Sequence, residues 1–226
     1  MITEILSPLR PDLSSAQLDQ FESYYAMLAD WNTRVNLTAI TEPEDVAKKH
    51  FLDSLAAAPY LKANAAVADV GTGAGFPGLP LLILRPDLKL TLIDSLQKRL
   101  VFLEAVLKEL KLSAELVHSR AEDAGQNPKY REKFDAALTR AVSGLPVLCE
   151  LTLPLVKVGG VSIAYKGDSA EELIASKNAL SVLHATAQRV IVPADYGARE
   201  LVILTKNGTT PKQYPRKAGT PAKNPL

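Results

Sequence analysis

The chain has 226 residues, 47% apolar and 23% charged, with a formal net charge of 26 − 25 = +1. That composition fits one sizeable globular core with room for a small appendage; it excludes collagen, a coiled-coil rod and wholesale disorder. It also excludes a generally basic nucleic-acid binder, so any such role must sit in a local patch.

Met1 to Leu13 lacks the basic start and apolar run of a secretory signal, and no apolar run reaches the ~18–20 residues of a bilayer span. The expectation is a cytoplasmic protein away from membranes, with a monomer as the default. Cys149 is the only cysteine, and one Cys with three His does not comfortably furnish a zinc site, so no metal is expected.

Residues 14–31 read as an amphipathic helix, with Leu18, Phe21, Tyr25, Leu28 and Trp31 on one face and a capping box from Ser14 and Gln17. A second helix is predicted from about Pro43 to Ala58, with Thr41 as a candidate cap. Residues 1–62 are thus expected to form a helical extension separate from the rest of the chain.

From Ala65 short apolar runs alternate with helical patterns. Strands are predicted at 66–70, 89–94, 114–118, 134–139, 160–164, 189–192 and 200–205, with the clearest helix at 97–110. This alternation predicts an α/β fold over residues 63–206: a mostly parallel, doubly wound, Rossmann-like sheet of seven strands whose last two pair as a hairpin. No acidic residue follows Glu200. The tail 207–226 is basic and carries Pro211, Pro215, Pro221 and Pro225, which predicts an extended segment.

The strongest local signal is the loop Asp69-Val70-Gly71-Thr72-Gly73-Ala74-Gly75-Phe76-Pro77-Gly78 after the first strand. In doubly wound sheets that loop holds nucleotide-like cofactors. Gly73, Gly75 and Gly78 match the dinucleotide fingerprint, and Asp94 stands where a ribose-binding carboxylate is expected. Asp69 favours a different ligand. A carboxylate about 5 Å from a pyrophosphate costs on the order of 3 kcal/mol, whereas the cationic S-adenosylmethionine is attracted. The residues alone favour a methyltransferase of open substrate over a nicotinamide dehydrogenase.

A wider set of residues resembles one family. Trp31-Asn32, Asn36 to Ile40, His50-x-x-Asp53-Ser54-Leu55, the glycine loop, Leu92 to Ser95, Arg120-Ala121-Glu122, Arg140-Ala141-Val142, Lys166-Gly167 and the tail Tyr214-Pro215-Arg216-Lys217 are similar to the bacterial small-subunit ribosomal RNA methyltransferase G family, also called glucose-inhibited division protein B. The resemblance implies methyl transfer from S-adenosylmethionine to N7 of one guanine in 16S ribosomal RNA, free or in the small ribosomal subunit. It also implies cofactor contacts at Gly71, Phe76, Ala121, Glu122 and Arg140. The residues themselves add Gly73 and Asp94.

Arg140, after the fourth strand, is the candidate catalytic residue, placed to clamp a carboxylate or donate to guanine O6. N7 carries a lone pair and no proton, so no general base is required, and His50 with Asp53 reads as a structural pair. Lys166, Arg216 and Lys217 are the candidate RNA contacts, with Lys48, Lys49, Lys98 and Arg99 able to widen the patch. Phe76 and Tyr165 are candidates to stack on the splayed-out base.

Overall fold

A computed structural model describes residues 1–226 as a seven-stranded sheet flanked by helices. Helices α1 (Ile2–Leu9) and α2 (Ser15–Asn32) come first. The Ser14 capping box forms: its hydroxyl accepts from the Gln17 N–H, and the Gln17 side chain accepts from the Ser14 N–H. A continuous helical run comes next as α3 (Pro43–Asp45), a π-helical stretch (Val46–Leu52) and α4 (Asp53–Leu55).

Strands and helices then alternate: β1 (Ala66–Val70), α5 (Gly78–Leu84), β2 (Lys89–Asp94), α6 (Gln97–Glu109), β3 (Glu115–His118), α7 (Ala121–Gln126), β4 (Phe134–Arg140), α8 (Leu145–Thr152) and β5 (Val156–Lys166). Short helices α9 (Ala170–Ala175) and α10 (Lys177–Val182) lead to β6 (Ala185–Ile191) and β7 (Glu200–Lys206), and α11 (Thr220–Lys223) lies in the tail.

The strand order is β3-β2-β1-β4-β5-β7-β6. Strands β1 to β5 are parallel to one another, and β7 runs antiparallel between β5 and β6. All seven predicted strands are present. The register pairs Arg140 with Tyr165 and Lys166 with Glu200. Because β7 is antiparallel, its first residues lie at the same rim as the C-terminal ends of β1 to β5. That rim is where a doubly wound sheet opens a crevice.

The N-terminal helices are not a separate layer. Ile2, Leu6, Phe21, Tyr24 and Phe51 belong to one 35-residue apolar cluster with Val67, Leu92 and Leu103. The expected separation at residue 62 has no counterpart in the core, because the helices cover a sheet face that would otherwise meet water. A smaller cluster including Leu145, Cys149, Ala164 and Val202 lies elsewhere in the fold. No helix is long and apolar enough to cross a membrane.

Gly75 shows how tightly α2 is fitted to the glycine loop. Its φ is +96°, and an added Cβ would lie 2.6 Å from the Tyr24 hydroxyl, 2.8 Å from Leu79 and 2.9 Å from Leu103. Left-handed strain and overpacking together predict that Gly75→Ala lowers unfolding free energy by about 3 kcal/mol. Urea titration measures this; an unchanged midpoint would mean the loop is not clamped.

Candidate active site at the sheet rim

Two cavities open at the C-terminal rim. The first, about 380 Å³, is lined by Gly71 from the glycine loop, Asp94 from β2, Ala121 and Glu122 from α7, and Val142 after β4, among others. Its volume lies in the range of small-molecule sites. The second, about 390 Å³, is lined by Lys49, His50, Asp53, Arg140, Tyr165, Lys166 and Arg199. Ala141 lines both, so the cavities adjoin where β4 ends. Ala141 has φ +54°, and this left-handed turn carries the chain from Arg140 on one side to Val142 on the other.

The glycine loop is held by carboxylates. Asp94 accepts from the Gly73 N–H at 2.9 Å and from the Leu96 N–H at 2.9 Å, with Arg99 at 3.3 Å. Asp69 accepts through one oxygen from the Thr72 hydroxyl and the Gly78 N–H, both at 2.8 Å. These backbone N–H groups are among those a dinucleotide fingerprint offers to a pyrophosphate, and here Asp69 and Asp94 occupy them. Close approach at Gly71 has a separate cause: a Cβ there would lie 2.7 Å from Val142.

Several sequence expectations need correction. Asp69 does not face the crevice; it is fully buried under the loop. Burial pushes its carboxyl up to about 6, against the opposing hydrogen bonds from Thr72 and Gly78. The first cavity is therefore not simply acidic, since Arg99 and Arg120 line it with Asp94 and Glu122. The case against pyrophosphate survives on the occupied N–H groups instead. Phe76 and Gly73 do not line that cavity. Phe76 is packed against His50 at 4.5 Å between ring centroids and against Tyr24 at 5.4 Å. It is a floor, not a free platform, and Tyr165 likewise is buried, with its hydroxyl on the Ser54 carbonyl at 2.6 Å.

Arg140 lies in the second cavity, not the first. It donates to the Lys49 carbonyl at 3.0 Å, to Asp53 at 3.1 Å and to His50 Nδ1 at 3.1 Å, and sits 4.9 Å over the Phe76 ring. The π-helical stretch, running straight into α4, delivers this geometry: it brings Lys49 and His50 to the same cavity as Asp53, the first residue of α4; single π turns recur at functional sites. Sequence reasoning missed Arg199, whose Nε is 3.3 Å from Asp53. The predicted hairpin could have located it, because the turn before an antiparallel β7 must return to this rim.

The expected RNA contacts fare unequally. Lys166 lines the second cavity, paired with Glu172 at 2.7 Å. Lys217 is exposed. Arg216 is not a free phosphate contact: its Nε and Nη2 grip Glu150 at 2.9 and 2.6 Å. The tail as a whole is not extended but folded onto the body, and ends in α11.

His50 is neutral. Burial first, and the Arg140 guanidinium second, push its imidazole down to about 4. Nδ1 faces both the Arg140 guanidinium at 3.1 Å and the Lys49 carbonyl at 3.2 Å; because the guanidinium can only donate and is the closer, we assign the proton to Nε2, which faces Thr38 Oγ1 at 2.8 Å. An unfolded His takes its proton near pH 6.5. The stability His50 contributes is therefore complete above about 6.5 and lost as pH falls towards 4. Asp69 runs oppositely, its contribution fading as pH rises through about 6. In a comparison with His50→Gln the Asp69 effect cancels. The wild-type advantage in unfolding free energy should shrink by about 2 kcal/mol between pH 7.5 and 5. A pH-independent difference would show that the imidazole is not desolvated.

The profile of the family described as rRNA small subunit methyltransferase G matches residues 17–202. A ribosomal RNA small subunit methyltransferase G from Desulfitobacterium hafniense is 49% identical over 223 residues, covering 96% of this chain and 93% of the relative. Among solved structures, a methyltransferase from Pyrococcus furiosus superposes with TM-score 0.60 at 14% identity, over 81% of this chain and 95% of that one. The O-methyltransferase TomG from Streptomyces achromogenes, solved in complex with SAM, gives 0.56 at 17% identity, over 86% and 91%. At such identities the structural matches speak for the fold alone.

Proposed function

Since the chain belongs to the rRNA small subunit methyltransferase G family, we propose that it moves the methyl group of S-adenosylmethionine to N7 of one guanine in 16S ribosomal RNA, with the cofactor in the first cavity and the base in the second. The observation that carries this division is the shared wall at Ala141. It sets a mixed-charge cavity beside one whose lining holds four cations, Lys49, Arg140, Lys166 and Arg199, and one carboxylate, Asp53.

The first cavity suits the cofactor: the Asp94 carboxylate is placed for ribose hydroxyls, and the occupied loop amides leave no phosphate cradle. Bound there, S-adenosylmethionine supplies a methyl group activated on a sulfonium. Gly71, Asp94, Ala121 and Glu122 would hold it; Gly73 supports by fixing Asp94, and Phe76 by carrying His50 and Arg140.

The second cavity suits a guanine with its flanking phosphates. Of five donors on Arg140, three have protein acceptors, which leaves two for the base edge or a phosphate. Neither nitrogen of His50 is free to take a proton, and attack by N7 releases none. The protein's part is to orient the base and hold water out. Lys166 and Lys217 are the proposed RNA contacts.

Transfer of labelled methyl from S-adenosylmethionine to 16S RNA and to small subunits, followed by mass mapping of the modified base, tests the reading. Label on a single guanine as N7-methyl is expected. Background transfer to both substrates, with label reaching a small molecule, would overturn it.

A further inference from the structure

The tail enters the first cavity. Gly219 and Ala222 line it together with Asp94, Ala121 and Glu122. The Gly219 N–H donates to Glu122 Oε1 at 2.8 Å, so one of the acids proposed to hold the cofactor is fixed by the tail. Gly219 has φ +82°, the left-handed turn that starts α11.

The tail is held there by specific bonds. Arg216 donates to Glu150 from its backbone N–H at 2.7 Å and from its guanidinium, and Glu150 is fully buried. The same guanidinium donates to the Asn224 carbonyl at 2.8 Å, closing α11 back onto the latch. Gln126 donates to the Pro215 carbonyl at 2.7 Å, and Arg131 to the Tyr214 carbonyl at 2.6 Å. Pro215 lies so close to Gly125 that a Cβ there would come within 2.8 Å of it. A solvated basic arm would need none of this. Charge-assisted bonds to a buried carboxylate are among the stronger that proteins make.

We propose that residues 214–224 are a strap belonging to the cofactor site: Gly219 and Ala222 wall the cavity at the Glu122 end, and the Glu150–Arg216 pair is the latch that keeps them there. The proposal rests on the cofactor assignment above. It makes Arg216, Gly219 and Ala222 determinants of cofactor affinity and residence rather than RNA contacts, and leaves the exposed Lys217 of the same segment to the RNA.

S-adenosylhomocysteine is the probe, measured by calorimetry for affinity and by stopped-flow displacement for the off-rate, with no RNA present. Ala222→Trp places a bulky group on an exposed position of the wall, and E150Q/R216Q removes the latch without leaving a lone buried charge. Each is expected to weaken binding at least tenfold, the latch variant mainly through a faster off-rate, with circular dichroism unchanged. Should the latch variant fail to fold, Ala222→Trp alone decides. Binding by Ala222→Trp weakened more than threefold supports the wall; a smaller change overturns it. Failure of the unaltered protein to bind the probe would instead strike the cofactor assignment itself.

Discussion

Arg140→Ala is expected to lower methyl transfer to the ribosomal substrate by about 10²–10³-fold in kcat/KM, while the protein stays folded. The guanidinium is held on every side, by the Lys49 carbonyl, Asp53, His50 and the Phe76 face, so its remaining donors are aimed before any substrate arrives. Donors fixed in advance in a water-poor site need no reorganisation during reaction, and this is the source of the large effect. Folding survives because Asp53 keeps Arg199 at 3.3 Å and is not left as a lone buried charge. Arg140→Lys should rescue little, since one ammonium cannot bond Lys49, Asp53 and His50 and still reach the base. Single-turnover transfer by excess enzyme, with S-adenosylhomocysteine affinity measured in parallel, separates the roles. Arg140 lies outside the first cavity, so cofactor affinity should change far less than transfer. A variant that transfers methyl at the wild-type rate would remove Arg140 from the chemistry. One that loses only cofactor affinity would return it to the role the resemblance gave it.

The sheet is legible in the sequence because its signals are local. Buried strands read as short apolar runs, and the glycine loop, Asp94 and Arg140 occupy positions that parallel topology sends to one rim. The capping box at Ser14 is visible for the same reason: both partners lie within four residues. Elements whose form depends on distant partners are not legible. Helix α1 contains Pro8, which discourages a helical reading, yet Ile2 and Leu6 recur at helical spacing and are fully buried in the main cluster. The π-helical stretch has no sequence mark of its own. Sequence places Asp69 at the strand end and Phe76 in the loop but turns them outward wrongly, because alternation along a strand does not say how the loop after it folds back. The tail misleads most. Counted as charge it is a basic arm, but Arg216 is taken up by Glu150.

Lys206→Met is expected to cost about 3–5 kcal/mol of stability, the largest single-site effect expected outside the two cavities. Lys206 ends β7 with no solvent exposure. Its three ammonium protons match three acceptors: Glu132 Oε1 at 2.7 Å, the Leu153 carbonyl at 2.9 Å and the Val156 carbonyl at 2.7 Å. A methionine fills similar volume but donates to neither carbonyl and takes the cation from Glu132. The same Glu132 oxygen also accepts from the Thr210 N–H at 2.8 Å, so the damage reaches the root of the strap. Glu132 is 27% exposed and keeps the Thr210 N–H, so the lost cation accounts for part of the cost and the lost bonds to the buried carbonyls for the rest. K206M/E132L should therefore recover no more than about 1 kcal/mol relative to K206M alone, because it also removes the acceptor of the Thr210 N–H. Urea unfolding at pH 7 supplies both numbers. If the double variant is less stable than the single one, the pair itself is the stabilising element and the desolvation argument is wrong.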